Sequence, residues 1–295
     1  MATYEAEVPA ARADDSAGAR ILRVVSSAPV QLLLVLVGLL WLVPTFGLLI
    51  TSLLSPADFS TEGWWQVFSD PGKMTWDNYD AIFANEQLMD ALWTTVLVAV
   101  GGTILPIIVA ALAGYAFAWL EFPGRDWLFI LVIALLIVPL QMALIPMFKL
   151  YNTFGIFDTV LSLVLFHTAF GLPFAIFLLR NFFIGIPRDL MEAARIDGAS
   201  EIRIFLRLLL PLGLPAIASL AIFQFLWTWN DLLVALTFGR ETQPITVAIF
   251  SQLRQFGANI ELIAPATFVS LVIPLAVFFA FQRYFVQGLL AGSVK

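Results

Sequence analysis

Polar side chains able to hold a ligand are concentrated in one stretch of a strongly apolar chain, FQFLWTWNDLLVAL, residues 223–236. Gln224, Trp227 and Asp231 recur there at helical spacing, so one helix face can present all three. Amide and carboxylate groups beside flat aromatic rings suit a neutral polyol. Asn230 and, between two prolines of an earlier segment, Gln141 are further candidates for lining a path, because polar groups are costly to bury in apolar surroundings.

The same stretch has a second interpretation. Asn230 and Asp231 can instead hold helices together near a membrane surface, with the tryptophans acting as interfacial anchors. The residue types and their spacing fit both roles, so the two interpretations stay open.

A second concentration of chemistry lies in MEAARIDGASEIRIFLRLLLPLG, residues 191–213. It contains Glu192, Arg195, Asp197, Glu201, Arg203 and Arg207, in a chain that is only 12% charged. Pro187 suits the first turn of a helix, with the negative charge of Asp189 close behind it. Gly198 is suited to end that helix, and Ser200 to cap a second one that runs to Pro211.

Within the first helix, the spacing predicts ion pairs from Arg188 to Glu192 and from Glu192 to Arg195. Ala193 and Ala194 leave a low surface on which another protein can approach closely. The second helix has an apolar stripe formed by Ile202, Phe205, Leu206 and Leu209. The segment therefore predicts either a docking surface for a partner or an amphipathic helix that lies on lipid.

The usual catalytic and nucleotide-binding patterns are absent from the sequence. The chain contains no G-x-x-x-x-G-K-[ST] loop, no H-E-x-x-H and no G-x-S-x-G. It has no cysteine and a single histidine, His167, which excludes disulfides, cysteine-ligated metals and histidine clusters. His167 lies near the middle of an apolar segment and is interpreted as a packing or pore-lining residue.

Hydrophobic residues make up 61% of the 295 residues, and the mean hydropathy is +0.93. Several apolar runs reach the roughly 20 residues that cross a bilayer, where only helices satisfy their own backbone groups. We therefore predict an all-α membrane protein with six spans, several of them kinked by proline. The predicted spans are 28–53, 91–118, 127–149, 159–180, 213–236 and 265–287.

The charges outside the spans predict an orientation. Acidic residues occupy the place of a positive signal-peptide region, so residues 1–27 are predicted to be a disordered cytoplasmic tail rather than a removable leader. With that end inside, eleven lysines and arginines are inside and four outside, namely Lys73, Lys149, Arg240 and Arg254. Both termini are then cytoplasmic, the carboxyl tail being 288–295. The predicted external segment, 54–90, carries four aromatic residues suited to the interface, Trp64, Trp65, Trp76 and Tyr79, with sugar stacking as the alternative.

Four motifs together resemble the permeases of binding-protein-dependent ABC importers, in particular the six-span partner of the maltose-type, carbohydrate-uptake branch. They are TWDNYDAIF, GLPFAIFLLRNFFIGIPRDLMEAARIDGAS, WNDLLVAL and the terminal QRYFVQGLLAGSVK. The EAA loop, residues 181–212, begins within the second motif, and the last motif is similar to α-glucoside permeases. The resemblance covers about residues 28–295 and implies a type I ABC importer permease fold.

The resemblance further implies that the EAA loop is a coupling helix docked in a cleft of a cytoplasmic ATPase. By that match the coupling positions are Glu192, Ala193, Ala194, Asp197 and Gly198, and Glu192 pairs with a basic residue of the ATPase. The implied assembly has a second, homologous permease, two ATPase subunits and an external solute-binding protein or lipoprotein, in a bacterial or archaeal plasma membrane. ATP and magnesium are bound by the partner subunits, so no cofactor is expected in this chain.

Three other classes of membrane protein are alternatives to a sugar permease. An ion-coupled secondary transporter would favour paired charges within the membrane and duplicated halves, and only Asp231 fits. An ABC importer permease for a non-sugar solute remains compatible with the motifs. A membrane enzyme or assembly scaffold is disfavoured by the missing catalytic groups.

Overall fold

The computed structural model describes the backbone of residues 17–61, 63–254 and 260–291. Besides 3-10 helices at Trp64–Phe68, Pro71–Lys73 and Leu135–Ile137, these residues form thirteen α-helices. They are α1 (Ala17–Ser52), α2 (Pro56–Thr61), α3 (Asp77–Ala84), α4 (Glu86–Trp119), α5 (Arg125–Ala134), α6 (Leu140–Phe154), α7 (Val160–Ile184), α8 (Arg188–Ile196), α9 (Glu201–Ile204), α10 (Leu210–Trp229), α11 (Leu233–Phe238), α12 (Ile245–Arg254) and α13 (Ile260–Ala291).

Within the described residues, five helical segments are long and apolar enough to cross a membrane, and a bent pair makes a sixth. The five are Pro29–Ser52, Glu86–Trp119, Val160–Ile184, Glu201–Trp229 and Leu262–Arg283, and the bent pair joins Arg125–Ile137 to Leu140–Phe154. Each overlaps one predicted span. The prediction of an all-α membrane protein is confirmed.

The third predicted span, 127–149, is not one kinked helix. Its two halves meet at 101°. Pro139 precedes α6 with ψ of 132°, and Val138 is also extended, because the proline ring disfavours helical geometry in the preceding residue. The proline therefore breaks the span instead of kinking it.

The ends of the chain differ from their predicted bounds. Helix α1 begins at Ala17, so part of the predicted tail 1–27 is helical, whereas residues 1–16 lie outside the described residues. Helix α13 continues to Ala291, beyond the predicted start of the carboxyl tail at 288, and residues 292–295 are likewise outside the description.

The predicted stop at Pro211 is also wrong. Residues Phe205–Leu209 form a wide π-helical turn, in which the Leu210 amide donates to the Phe205 carbonyl, and the helix then passes through Pro211 as α10. The π turn changes which carbonyl each backbone amide reaches. The missing N–H of Pro211 therefore does not interrupt the helix. Ser200 does sit at the amino-terminal cap of α9, but its side chain makes no capping bond.

In the segment between α1 and α4, Tyr79 departs from its predicted interfacial role. It is buried, and its hydroxyl lies 2.7 Å from Ser52 Oγ. Asn78 donates to the carbonyls of Ser52 and Leu54, at 3.0 and 2.7 Å. Trp65 and Trp76 are exposed, as an interfacial ring requires. The polar residues of this segment thus fasten it to the end of α1.

Helices α4, α7 and α10 form the centre of the bundle, where they approach closely through small residues. A Cβ atom on Gly171 of α7 would lie 2.6 Å from both terminal atoms of the Gln224 side chain on α10. A Cβ on Gly102 of α4 would lie 3.1 Å from Thr228 and 3.2 Å from His167. Side chains at these positions would separate the three helices, which in membranes are held together by such tight packing.

The substitution Gly171→Ala is expected to destabilise the protein, because the new methyl group forces the Gln224 amide away from the carbonyls that it binds. Overpacking of this kind costs about 1–3 kcal/mol. The apparent melting temperature of the purified protein in detergent should fall by about 2–6 °C. Gly38→Ala is the control, since no atom lies within 4 Å of its added methyl group. Equal melting temperatures for the two variants would contradict the prediction.

Candidate functional site

Helix α8 is a short helix closed by a glycine turn. It begins after Pro187 and ends at Ile196. Gly198 has φ of +76°, a left-handed conformation that glycine adopts without strain. The Ala199 amide donates to the Ala194 carbonyl and the Gly198 amide to that of Arg195, both at 3.0 Å. These two bonds form a Schellman turn, which stops α8 and redirects the chain into α9, as the position of Gly198 predicts.

One face of α8 is buried and the opposite face is bare. Met191 is fully buried, in a cluster with Phe183, Ile204 and Phe205. The residues of the bare face follow the helical repeat and are all exposed: Asp189, Glu192, Ala193, Ile196 and Asp197. We call these five residues the coupling face. It presents an apolar centre between carboxylates, which suits contact with another protein.

The predicted coupling positions only partly share this face. Glu192, Ala193 and Asp197 lie on it, and Gly198 forms the turn beyond it. Ala194 instead is half-buried and packs against the cluster around Met191. Sequence reasoning missed Ile196, which is 86% exposed. The sequence does indicate it, because Ile196 is a large apolar residue one helical turn after Glu192 and therefore lies on the same face.

The predicted ion pair between Glu192 and Arg195 is wrong. Arg195 Nε lies 3.0 Å from Glu201 Oε1, and its Nη2 donates both to Glu201 Oε2 at 3.4 Å and to the Trp119 carbonyl at 3.3 Å. Glu201 also accepts a hydrogen bond from the Tyr115 hydroxyl. In this position the planar guanidinium binds a carboxylate and a helix-terminal carbonyl at the same time. Pairing with Glu192 would provide only the carboxylate. We call Tyr115, Arg195 and Glu201 the clasp.

The predicted pair from Arg188 to Glu192 is likewise not formed, and among the described residues neither side chain has an ion-pair partner within 4.0 Å. Both are exposed. By contrast, the hydrogen bond to Glu201 raises the pKa of the Arg195 guanidinium above its ordinary value, so the clasp arginine stays charged. Glu192 is thus an unpaired charge on the coupling face, Arg188 is an unpaired charge outside it, and Arg195 is paired behind it.

The three residues predicted to share a helix face all meet His167. The Gln224 amide donates to the carbonyls of Gly102 and His167, at 3.0 and 3.3 Å. The His167 ring lies edge-on to Trp227, with centroids 5.1 Å apart, and its Nε2 is 3.7 Å from Asp231 Oδ2. Gln224 and Trp227 lie on α10, whereas Asp231 lies beyond the end of that helix, so the three side chains meet but do not share one helix face. We call Gln224, Trp227, Asp231 and His167 the central polar cluster.

The inner part of the cluster is buried, whereas Trp227 is 39% exposed. Gln224 is 6% exposed and His167 is 1% exposed. His167 Nδ1 and Thr228 Oγ1 are buried without a hydrogen-bond partner among the described residues. Gln224 therefore joins helices here, and its predicted place on a substrate path stays a prediction. The two unpaired atoms leave the centre with unused hydrogen-bonding capacity.

Of the other predicted path residues, Asp231 is the cluster member that lies beyond the end of α10, whereas Asn230 and Gln141 are outside the cluster. Asp231 ends the span earlier than predicted, because its carboxylate accepts from the Ala235 amide at 2.9 Å and starts α11. Asn230 is exposed, bonds to Leu226 in its own helix, and lines a cavity of about 660 Å³ between α10, α12 and α13. Gln141 is exposed near the start of α6, after the break at Pro139.

At the opposite end of the bundle, Asp158 joins two loops, a role that sequence reasoning missed. Its φ is +58°, unusual for a residue other than glycine. Its carboxylate accepts from the amides of Arg240, Glu241 and Thr242, at 2.8 to 3.2 Å. No local pattern announces this contact, because its partners lie some 80 residues away. The loop before α7 is thereby locked to the loop before α12.

Residues 102–290 match the family described as the binding-protein-dependent transport system inner membrane component. The chain belongs to this family. The resemblance to ABC importer permeases is thereby confirmed, and the chain is a component of a membrane transport system, not a catalytic enzyme. Membership also disfavours the ion-coupled transporter, the membrane enzyme and the scaffold.

Two relatives and one solved structure support this placement. The osmoprotective compounds uptake permease of Synechocystis sp. is 45% identical over 273 residues, 90% of this chain and 92% of that protein. The α-glucoside transport system permease of Rhizobium meliloti is 49% identical over 233 residues, 76% of this chain and 61% of that protein. A bacterial ABC transporter that imports the acidic polysaccharide alginate has a chain with a TM-score of 0.72 and 21% identity, covering 93% of this chain and all of that one. The predicted importer permease fold is confirmed.

The substitution Gln224→Leu should loosen the bundle centre, because it removes both bonds that join α10 to α4 and α7. At about 0.6 kcal/mol for each hydrogen bond in a membrane protein, the loss is about 1 kcal/mol. We expect the apparent melting temperature in detergent to fall by about 2 °C. Asn230→Ala serves as the control, since its side chain bonds only within its own helix. If both variants melt with the unchanged protein, Gln224 does not hold these helices together.

Proposed function

We propose that this chain is a permease subunit of an ATP-driven ABC importer that moves a sugar or oligosaccharide into the cell. It would work with a second, homologous permease, two cytoplasmic ATPase subunits and an external solute-binding protein. The observation that carries the proposal is the coupling face of α8, which stands bare on a helix whose other face is buried in the bundle. Because the chain belongs to a family of binding-protein-dependent transport components, docking of another subunit would explain this exposed face.

The chemistry of the coupling face specifies what its partner must offer. Ile196, at 86% exposure, needs an apolar pocket, and Glu192 and Asp197 beside it need basic groups or amide donors. A cleft of that kind in an ATPase subunit holds α8 as a knob. ATP and magnesium bind in those subunits, where nucleotide closes the ATPase pair and so draws the coupling helices together.

The cargo is proposed to be a neutral carbohydrate. The names of the two relatives supply two candidates, α-glucosides and osmoprotective compounds. The exposed indole of Trp227, the Asp231 carboxylate and the unpaired polar atoms of His167 and Thr228 suit hydroxyl groups better than a charged solute. A non-sugar osmoprotective compound is the second candidate, because the name of the Synechocystis relative does not specify a sugar.

We further propose that the end of the bundle carrying α8 faces the cytoplasm of a bacterial or archaeal cell, with both termini on that side. Arginine is concentrated near that end, in Arg125, Arg180, Arg188, Arg195, Arg203 and Arg207. Loops rich in arginine and lysine are retained in the cytoplasm. The loops that Asp158 joins would then face outward, toward the binding protein.

Substitutions on the coupling face should abolish uptake without preventing insertion. Glu192→Lys presents the partner cleft with a reversed charge, and Ile196→Glu buries a charge in it. In Gly198→Pro the left-handed turn is lost because proline fixes φ near −65°. ATP-dependent uptake into proteoliposomes containing the reconstituted complex should fall at least about tenfold, equal to about 1.4 kcal/mol of coupling. Detergent-solubilised yield of the subunit should be unchanged.

The matched control is Glu121→Lys, the same charge reversal on an exposed residue of the turn between α4 and α5. It should retain uptake. If the three α8 variants retain normal uptake and copurify with an intact ATPase complex, the coupling assignment is wrong.

The cargo can be identified on the external binding protein that the proposal requires. Its melting temperature should rise with one of maltose, trehalose or sucrose and not with glycine betaine. A ligand present at 100 times its dissociation constant stabilises a protein by about 2.7 kcal/mol, a readily measured shift. A shift with betaine alone would contradict the carbohydrate proposal and favour the second candidate.

A further inference from the structure

The clasp joins three helices at the end of the bundle where the coupling face lies. Tyr115 is in the last turn but one of α4, Arg195 in the last turn of α8, and Glu201 is the first residue of α9. The Arg195 guanidinium also reaches the carbonyl of Trp119, the final residue of α4. The clasp therefore bridges the Gly198 turn and fastens both of its sides to the end of one spanning helix.

The contacts extend from α4 into α7. The Trp119 indole donates to the Phe183 carbonyl at 3.0 Å, one residue before α7 ends. A displacement of Arg195 thus acts on the ends of two spanning helices through directional bonds. Both helices pass through the bundle centre, where they contact Gln224.

Apart from the clasp, the carboxyl-terminal half of α8 is held by packing only through the half-buried Ala194. Met191 fixes the first half in the buried cluster, but Arg195, Ile196, Asp197 and Gly198 are all exposed. A Cβ atom at Gly198 would have no atom within 4 Å, so the turn is packed only through the small side chains of Ala194 and Ala199 on either side of it. Without the clasp, a push on Ile196 can be absorbed by rotation about the glycine.

We propose that the clasp is the positioning element that makes α8, α4 and α7 move as one unit when the coupling face is displaced. Tyr115 and Glu201 are thus positioning residues for transport, although neither lies on the coupling face. This inference rests on the proposed function, because it assumes that a partner displaces α8.

The chemistry of the clasp is better suited to transmitting movement between helices than to stabilising the fold. The side chains of Arg195 and Glu201 are 39% and 45% exposed, and an ion pair at such exposure adds little to the stability of a fold. Its planar, two-point geometry nevertheless fixes direction. Removing it should therefore spare the assembled complex and impair only the conversion of ATP hydrolysis into uptake.

The test uses the complete complex in proteoliposomes, with whichever of maltose, trehalose or sucrose the binding protein retains. Uptake and ATP hydrolysis are measured together for Glu201→Gln, Tyr115→Phe and Arg195→Lys. Sugar moved per ATP should fall about fivefold or more in Glu201→Gln, equal to about 1 kcal/mol of coupling. Tyr115→Phe and Arg195→Lys should fall less, since each leaves part of the clasp, and ATPase rates should stay within about twofold.

The control is Arg203→Gln, which removes an exposed charge two residues from Glu201 and leaves the clasp intact. It should keep the normal ratio of sugar to ATP. A fall of the same size in Arg203→Gln, or dissociation of the ATPase subunits in Glu201→Gln, would overturn the inference, because the effect would then be general or structural.

A second measurement reports movement directly. The chain has no native cysteine, so spin labels can be placed on this subunit at Glu121→Cys, beyond α4, and Arg188→Cys, on α8. With the clasp intact, the distance between the labels should be the same with and without ATP. In Glu201→Gln it should change when ATP is added, and an unchanged distance there would overturn the inference.

The proposed function and the role of the clasp are overturned by different results. Absence of ATP-dependent uptake by the unsubstituted complex, with every sugar, overturns the proposed function. Normal uptake by that complex, with unchanged sugar per ATP in Glu201→Gln and Tyr115→Phe, overturns only the role of the clasp.

Discussion

The close approach of α4, α7 and α10 is the constraint on which the rest of the bundle depends. Apolar side chains gain little by contacting one another instead of lipid, so spanning helices associate through tight packing and polar contacts. Glycines 102 and 171 allow Gln224 to reach backbone carbonyls on both neighbouring helices. The register fixed there extends along the same helices to their ends, where Tyr115 and Trp119 on α4 meet the loop that contains α8.

The spans were predictable because apolar length is a local property of the sequence, and their breaks were not. A proline within a span permits anything from a slight kink to a full break. Pro139 sits between halves that meet at 101°, whereas Pro211 lies within a helix that continues after a π turn. The difference depends on how the flanking segments pack against other helices, which the local sequence does not encode.

In the EAA loop, too, some features have local causes in the sequence and others have distant ones. Its turn was predictable from Gly198, and its exposed face follows from helical spacing. The partner of Arg195 was not, because Glu192 competes with a carboxylate across the turn and with the carbonyl of Trp119, 76 residues away. For the central polar cluster, spacing predicted which residues meet, but only the burial of Gln224 shows that they join helices in this conformation.

The loop has to meet two opposed requirements. A docking surface must stay exposed, which deprives the end of α8 of the buried contacts that make a segment rigid. A segment that transmits movement must nevertheless be stiff. The structure separates the two requirements by face: Ile196 points outward, while Met191 and Arg195 hold the other side, one by burial and one by directional hydrogen bonds. A short helix is well suited to this arrangement, since a single turn places both kinds of residue next to each other.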